Sequence, residues 1–199
     1  FGVADNGSLD YNLTTAMLRA TGNGEPNFVA IGAPDVRVQA LAAGRIDATT
    51  VSFGTWLSVA DAPGIHVIMQ PGEMSRYTPS PTKLISALER TLDSKRDAVE
   101  RLTTALLETS RLMKANPDQW VDAVLAARDD LKRDRVEAIA SFLGAQWCVD
   151  GCMDTTNLNS VVDYLYANPD FDDVKHIPQG DIYDASFAQK ANAVLGPAQ

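Results

Sequence analysis

The chain has 199 residues, 45% hydrophobic and 22% charged, ordinary globular proportions for one large domain or two small ones. No apolar run is long enough to span a bilayer, so the sequence predicts a soluble chain with no direct membrane insertion. A formal charge of −9 argues against nucleic acid as a partner, because its binders carry a basic face; it leaves the chemistry of a small-molecule site open.

The first third alternates strand and helix signals. Residues 1–4 read as a β-strand, Asp5, Asn6 and Gly7 as a turn, and Ser8 stands where a helix N-cap belongs. Leu9, Leu13, Ala16, Met17 and Ala20 then recur at helical spacing until Gly22 and Gly24 stop the segment. Residues 27–31 form the next strand. Pro34 and Asp35 open a helix whose apolar face takes Val36, Ala40 and Leu41, closed by Gly44. Residues 48–52 give a third strand, 55–60 a short helix and 65–69 a fourth strand. Strands separated by helices of this length imply parallel pairing through right-handed crossovers, hence an α/β fold class. Phe1 is not an initiator methionine, and a chain that starts inside a strand predicts a missing N-terminal segment of the same protein.

Pro71, Gly72, Pro79 and Pro81 punctuate a linker, and residues 83–85 are extended. Beyond them the sequence is almost wholly helical. A helix over 95–115 carries the stripe Ala98, Leu102, Ala105, Leu106 and Met113, and Asn116-Pro117 opens the next one with proline at its first position. Val136, Ile139, Ala140 and Leu143 face one way up to Gly144. Asp154 caps a helix bearing Leu158, Val161, Val162 and Leu165, and Asp184 caps a last one through Phe187, Ala191 and Leu195 to Gly196. So many amphipathic helices need a surface to cover, and the second half supplies almost no sheet. They either form a bundle or pack on strands from elsewhere in the protein.

Five phrases occur in order along the chain: Phe1-Gly-Val-Ala-Asp-Asn-Gly-Ser8, Val38-Gln-Ala-Leu-Ala-Ala-Gly-Arg-Ile-Asp-Ala48, Lys95-Arg-Asp-Ala-Val99, Trp147-Cys-Val-Asp-Gly151 and Asp181-Ile-Tyr-Asp184. In that series the chain resembles the nitrate/sulfonate/taurine-type extracytoplasmic solute-binding proteins of ABC transporters. The resemblance implies a type II periplasmic-binding-protein-like fold: residues 1–70 as the second α/β lobe, 71–82 as a return hinge, and 83–199 as the mainly helical C-terminal part of the first lobe. It further implies capture of a small polar solute, anionic or zwitterionic, in an interlobe cleft and delivery to an ABC transporter permease. The implied location is periplasmic or extracellular, held at the membrane by the transporter or a lipoprotein anchor.

Two loops carry the chemistry. Asn6, Gly7, Ser8 and Leu9 lie between a strand and a helix N-terminus, where free amide N–H groups and the helix dipole suit a carboxylate, sulfonate or phosphate. Ser8 either contacts such a ligand or simply caps its own helix. Asp5 opposes an anion unless it points away or meets an amine. Ser52, Phe53, Thr55 and Trp56 follow the third strand, and ligands of open parallel sheets bind outside the carboxyl ends of strands. There the hydroxyls offer hydrogen bonds and the aromatics either wall a site or pack internally. Arg76 and Tyr77 stand in the hinge, as cleft-floor contacts or as solvated linker.

Cys148 and Cys152 suit a small-loop disulfide in an oxidising compartment, with two reduced thiols as the other reading. Two cysteines with two distant histidines are too few for structural zinc. His66 and His176 read as structural, and neither a Gly-x-Ser-x-Gly motif nor a phosphate loop is present. The sequence therefore predicts no catalytic residues, no metal site, no cofactor and no enzyme activity. The alternatives are an enzyme like the thiamine-pyrimidine precursor synthases, whose Cys-rich motif Cys148 and Cys152 do not match, and the ligand-sensing domain of a transcription regulator.

Overall fold

The computed structural model describes residues 1–74, 76–77, 84–144, 147–152, 155–167 and 171–198. The described chain is mostly helical, with one small parallel sheet. It divides into two units, Phe1–Thr82 with Ser160–Val174, and Lys83–Asn159 with Lys175–Gln199. Among the described residues, no helix is long and apolar enough to cross a membrane.

The first unit begins with β1 (Gly2–Val3), α1 (Leu9–Ala20), β2 (Val29–Ala30) and α2 (Pro34–Ala42). β1 and β2 are parallel, with Gly2 opposite Val29 and Val3 opposite Ala30, and Thr49 adds a parallel bridge to Gly2. Residues 48–52, read as a strand, contribute only that bridge. Residues 65–69, also read as a strand, are irregular, with Val67 and Ile68 42% and 84% exposed. Apolar alternation makes a strand only where a neighbouring edge pairs with it and a core takes its side chains. Two short helices complete this part, α3 (Phe53–Leu57) and α4 (Pro71–Met74), the latter inside the segment read as a linker.

The helices begin where local chemistry places them. Ser8 and Ser52 cap α1 and α3 through their side chains, and Pro34 starts α2 with its fixed φ and missing donor. The buried face of α1 is more polar than periodicity suggests: Asn12, Thr14, Thr15 and Ala16 are buried, whereas Leu9 is exposed. α2 is turned likewise. Arg37 and Val38 are buried while Val36, assigned to its apolar face, is exposed. Val3, Ala16, Val38, Ile46, Leu57, Val59 and Val162 are the buried apolar residues of this unit among those described.

The second unit is helical. α5 (Glu89–Ala115) is kinked at Lys95, whose φ of −135° and ψ of 29° leave the helical region. α6 (Pro117–Ala127) and α7 (Arg133–Gly144) bury Val121, Val136 and Ala140 against one another under Trp120, Val124, Leu125 and Leu131. α8 (Thr155–Tyr166) begins in this unit, and its residues from Ser160 onward belong to the first; its proposed cap, Asp154, lies outside the described residues. A 3-10 turn over Gln179–Asp181 precedes α9 (Ser186–Leu195), whose N-cap is Ala185 rather than Asp184; the Asp184 carboxylate, one residue earlier, accepts the Ser186 N–H at 2.8 Å. α9 packs on α5, burying Phe187, Ala191 and Leu107.

The face of α5 that α9 covers is not the leucine stripe. Leu102 and Leu106 are exposed and Leu107 is buried, whereas Arg96, Glu100 and Arg111 bond to α9 or the residues at its ends. These positions recur at multiples of about a helical turn, so one line along α5 carries every polar anchor. Directional contacts, not apolar periodicity, choose the docking face.

Candidate functional site

Parallel strands release their connecting loops at one edge. Backbone bonds from Gly2 N–H to Ala48 O (2.8 Å), Ile31 N–H to Val3 O (2.9 Å) and Gly32 N–H to Ala4 O (3.1 Å) keep three chain segments in step. Residues 4–8, 32–34 and 50–53 therefore leave the sheet at the same end.

One side chain ties that end together. Arg37, 2% exposed, reaches from α2 and donates through Nη1 to Gly32 O, through Nη2 to Thr50 O (3.2 Å) and through Nε to Thr49 Oγ1 (3.1 Å). Its charge meets the Asp10 carboxylate of α1 at 3.5 Å, and Asp10 Oδ2 also accepts the Ala4 N–H at 2.8 Å. Thr49 passes the network on to Gly2 O (2.8 Å). Thr14 Oγ1 donates to or accepts from Thr50 Oγ1 at 2.8 Å while lying 2.7 Å from Asp10 O. A buried guanidinium is tolerable only with this degree of pairing and hydrogen bonding. Gly2 leaves room for the Ile46 side chain beside this network: a Cβ there would lie 2.6 Å from Ile46 Cδ1.

The first loop sits on this base. Gly7 takes a φ of +76°, which favours glycine, and Asn12 Nδ2 donates to its carbonyl at 2.9 Å. Ser8 Oγ accepts from Tyr11 N–H and Asp5 N–H, each at 3.4 Å, so its lone pairs serve the cap. Asp5 Oδ1 turns onto the Asn6 N–H at 2.8 Å. Asn6, Gly7 and Leu9 are exposed and Ser8 half-buried.

In the second loop, Ser52 Oγ accepts the Thr55 N–H at 3.3 Å and pairs with Thr55 Oγ1 at 3.0 Å. Phe53 and Trp56 lean on each other, with ring centroids 5.6 Å apart and planes 34° from parallel. Both rings are half-buried. The structure thus brings Ser52 to Thr55 and Phe53 to Trp56, and the Thr14–Thr50 bond ties the two loops to a common base.

Other proposed contacts fall elsewhere. Arg76 and Tyr77 lie in a turn that closes on Glu73 O and Met74 O. His66 and His176 are exposed. Cys148 and Cys152 form a disulfide with Cα atoms 5.5 Å apart, so their sulfurs are bonded to each other even though Asp150 lies close enough to complete a metal-ligand group. On the second unit, an open groove of about 730 Å³ runs between α5 and α9, lined by Asp97, Glu100, Arg101, Glu108 and Lys190 among others. It holds charges of both signs and is solvated.

Sequence reasoning passed over Arg37, Asp10, Thr14 and Thr50. The only local signal was an arginine between two valines on a short amphipathic helix, which reads as a solvated position. Tyr164, on α8, was missed too: its phenol donates to Asn12 O at 3.2 Å, and burial pushes its pKa above the ordinary tyrosine value against the pull of Arg19. No protein-family model, curated protein or solved structure matches the chain.

Proposed function

We propose that this chain belongs to a solute receptor with a type II periplasmic-binding-protein-like fold, which captures a small polar solute and passes it to an ABC transporter permease. The observation that carries the reading is the Arg37 network, which holds the loop-bearing ends of three parallel segments in register at one edge of the first unit. Binding edges of parallel α/β units are built in this way: rigid strand ends below, exposed loop amides and hydroxyls above.

The ligand class follows from the loops. The start of α1 favours an anionic group, since a helix N-terminus carries partial positive charge; the Asn6 and Ser8 amides are already bonded to Asp5, so the contact falls to Gly7 and the first turn of α1. Asp5, with its carboxylate turned onto the Asn6 amide, adds a place for an ammonium group, which admits a zwitterion such as an amino-sulfonate. Phe53 and Trp56 supply an apolar wall beside the Ser52 and Thr55 hydroxyls.

The test is a thermal-shift screen of the full-length protein against nitrate, sulfonates, amino-sulfonates, carboxylates and pyrimidines. A saturable rise in melting temperature with at least one class, lost on changing Thr55→Val together with Trp56→Ala, is the expected outcome. A well-folded protein whose melting temperature none of them moves would contradict the reading.

A further inference from the structure

The loop over residues 147–152 departs from ordinary backbone. Gly151 takes a φ of +99° and Cys152 a φ of +45°, and Cys152 is the residue other than glycine in the left-handed region among those described. A side chain on Cβ makes that region unfavourable for an L-residue, so something must hold Cys152 there. Two features do: the disulfide to Cys148, and the Asp150 carboxylate, which accepts the Cys152 N–H at 2.8 Å.

In this conformation the loop presents one carbonyl to Arg111 of α5 and one to Asn192 of α9. Arg111 Nε donates to Val149 O (2.9 Å), while its Nη1 reaches Gly196 O (2.8 Å) and Leu195 O (3.3 Å) and its Nη2 reaches Asn192 Oδ1 (2.8 Å). Asn192 Nδ2 closes the circuit on Asp150 O at 2.7 Å. Gly151 lies so close to α9 that a Cβ on it would stand 2.6 Å from the Ala188 Cβ. The C-terminal half of α9 is therefore fastened through a loop whose shape depends on the disulfide. The N-terminal half has separate anchors: Arg96 donates to Ser186 Oγ at 2.7 Å and lies 4.5 Å over the Phe187 ring, and Lys190 pairs with Glu100.

We propose that the Cys148–Cys152 pair is a redox latch on the C-terminal turn of α9. Cys152 is exposed, so an external dithiol reaches it. The dithiol's thiolate attacks one sulfur of the pair, its second thiol then displaces the mixed disulfide, and the reagent leaves as a cyclic disulfide. The S–S bond takes up two electrons and two protons and becomes two thiols. Cys152 then relaxes out of the left-handed region, Val149 and Asp150 turn away from Arg111 and Asn192, and the last turn of α9 loosens while its first turns stay docked.

Hydrogen exchange of the intact protein, oxidised and after treatment with dithiothreitol, tests this by its pattern. Amides of residues 192–196 are expected to exchange about tenfold faster or more after reduction, with residues 187–190 and the α6–α7 pair unchanged. The Cys148→Ser/Cys152→Ser protein should show the fast pattern with or without reductant, and Arg111→Gln should show it while still oxidised. Unchanged exchange at 192–196 would overturn the proposal. So would an equal rise throughout the second unit, which would make the disulfide a general staple, or two titratable thiols in the untreated denatured protein.

Discussion

Each unit of this protein is gathered by one arginine, and the two arginines solve the problem differently. Arg37 collects Gly32, Thr49 and Thr50 from segments close in sequence, is 2% exposed, and is neutralised by Asp10 at 3.5 Å. Arg111 collects Val149, Asn192, Leu195 and Gly196 from segments 38 to 85 residues away, is only part-buried, and takes neutral acceptors. Its charge rests against the carbonyl end of α9, where the helix dipole is negative. Full burial demands a carboxylate; a helix end suffices where water still reaches. The first arrangement fixes a rigid edge, whereas the second fastens an element that a neighbouring loop can release.

The largest expected effect breaks the first arrangement. Arg37→Met leaves the Asp10 carboxylate largely buried without its cation and should lower the unfolding free energy by about 3–5 kcal/mol in urea melts. A loss under about 1 kcal/mol would show that the network is incidental to the fold. Next, Arg111→Ala should cost about 1.5–3 kcal/mol, the range of hydrogen bonds to a charged group, with the loss read mainly at α9. An Arg111 effect equal to that of Arg37 would erase the contrast between the two.

A smaller pair of changes sharpens the picture within α1. Thr14 and Thr15 are both buried, but Thr14 Oγ1 bonds Thr50 and Asp10 O whereas Thr15 Oγ1 is buried without a hydrogen-bond partner among the described residues. Thr14→Val should destabilise by about 1 kcal/mol, and Thr15→Val should be neutral or stabilise by up to about 1 kcal/mol. Matching losses would mean that the Thr14 bond adds nothing.

The smallest effect is pH-dependent and belongs to the second unit. Hydrogen bonds from Ser186, then the nearby Arg96, hold the Asp184 carboxyl below the ordinary aspartate value of 3.8. A lowered folded-state pKa contributes stability that is full above the unfolded value and lost as pH falls through the folded one. Melting temperature should therefore decline below roughly pH 4, and Asp184→Asn should flatten part of that decline. The carboxyl is largely solvated, so the slope is shallow. An unchanged acid profile in Asp184→Asn would show that the Asp184 bonds to Ser186 and Arg96 add no stability.

Much of the helical framework was legible because its punctuation is local. Ser8, Pro34, Asn116-Pro117 and Gly196 mark ends that the structure reproduces within a residue or so. The first turns of α5 were not legible, since Glu89, Arg90 and Asp93 offer no apolar face to count. Pairing was harder still: residues 65–69 have strand composition, yet strand formation depends on a partner edge that no local pattern reveals. The loops of the candidate site could be read from their place after strands. The base beneath them could not, because the burial of Arg37 and exposure of Val36 are decided by Asp10, Thr49 and Thr50 from other segments.

The central claim is that the strand-end loops of the first unit bind a small anionic or zwitterionic solute. Backbone amide NMR of the full-length protein, titrated in turn with nitrate, taurine and simple carboxylates, tests it most directly. The account predicts saturable shifts concentrated at residues 6–9 and 52–56, with α6 and α7 unmoved. Shifts confined to the groove between α5 and α9, or none with any of these solutes, would contradict it.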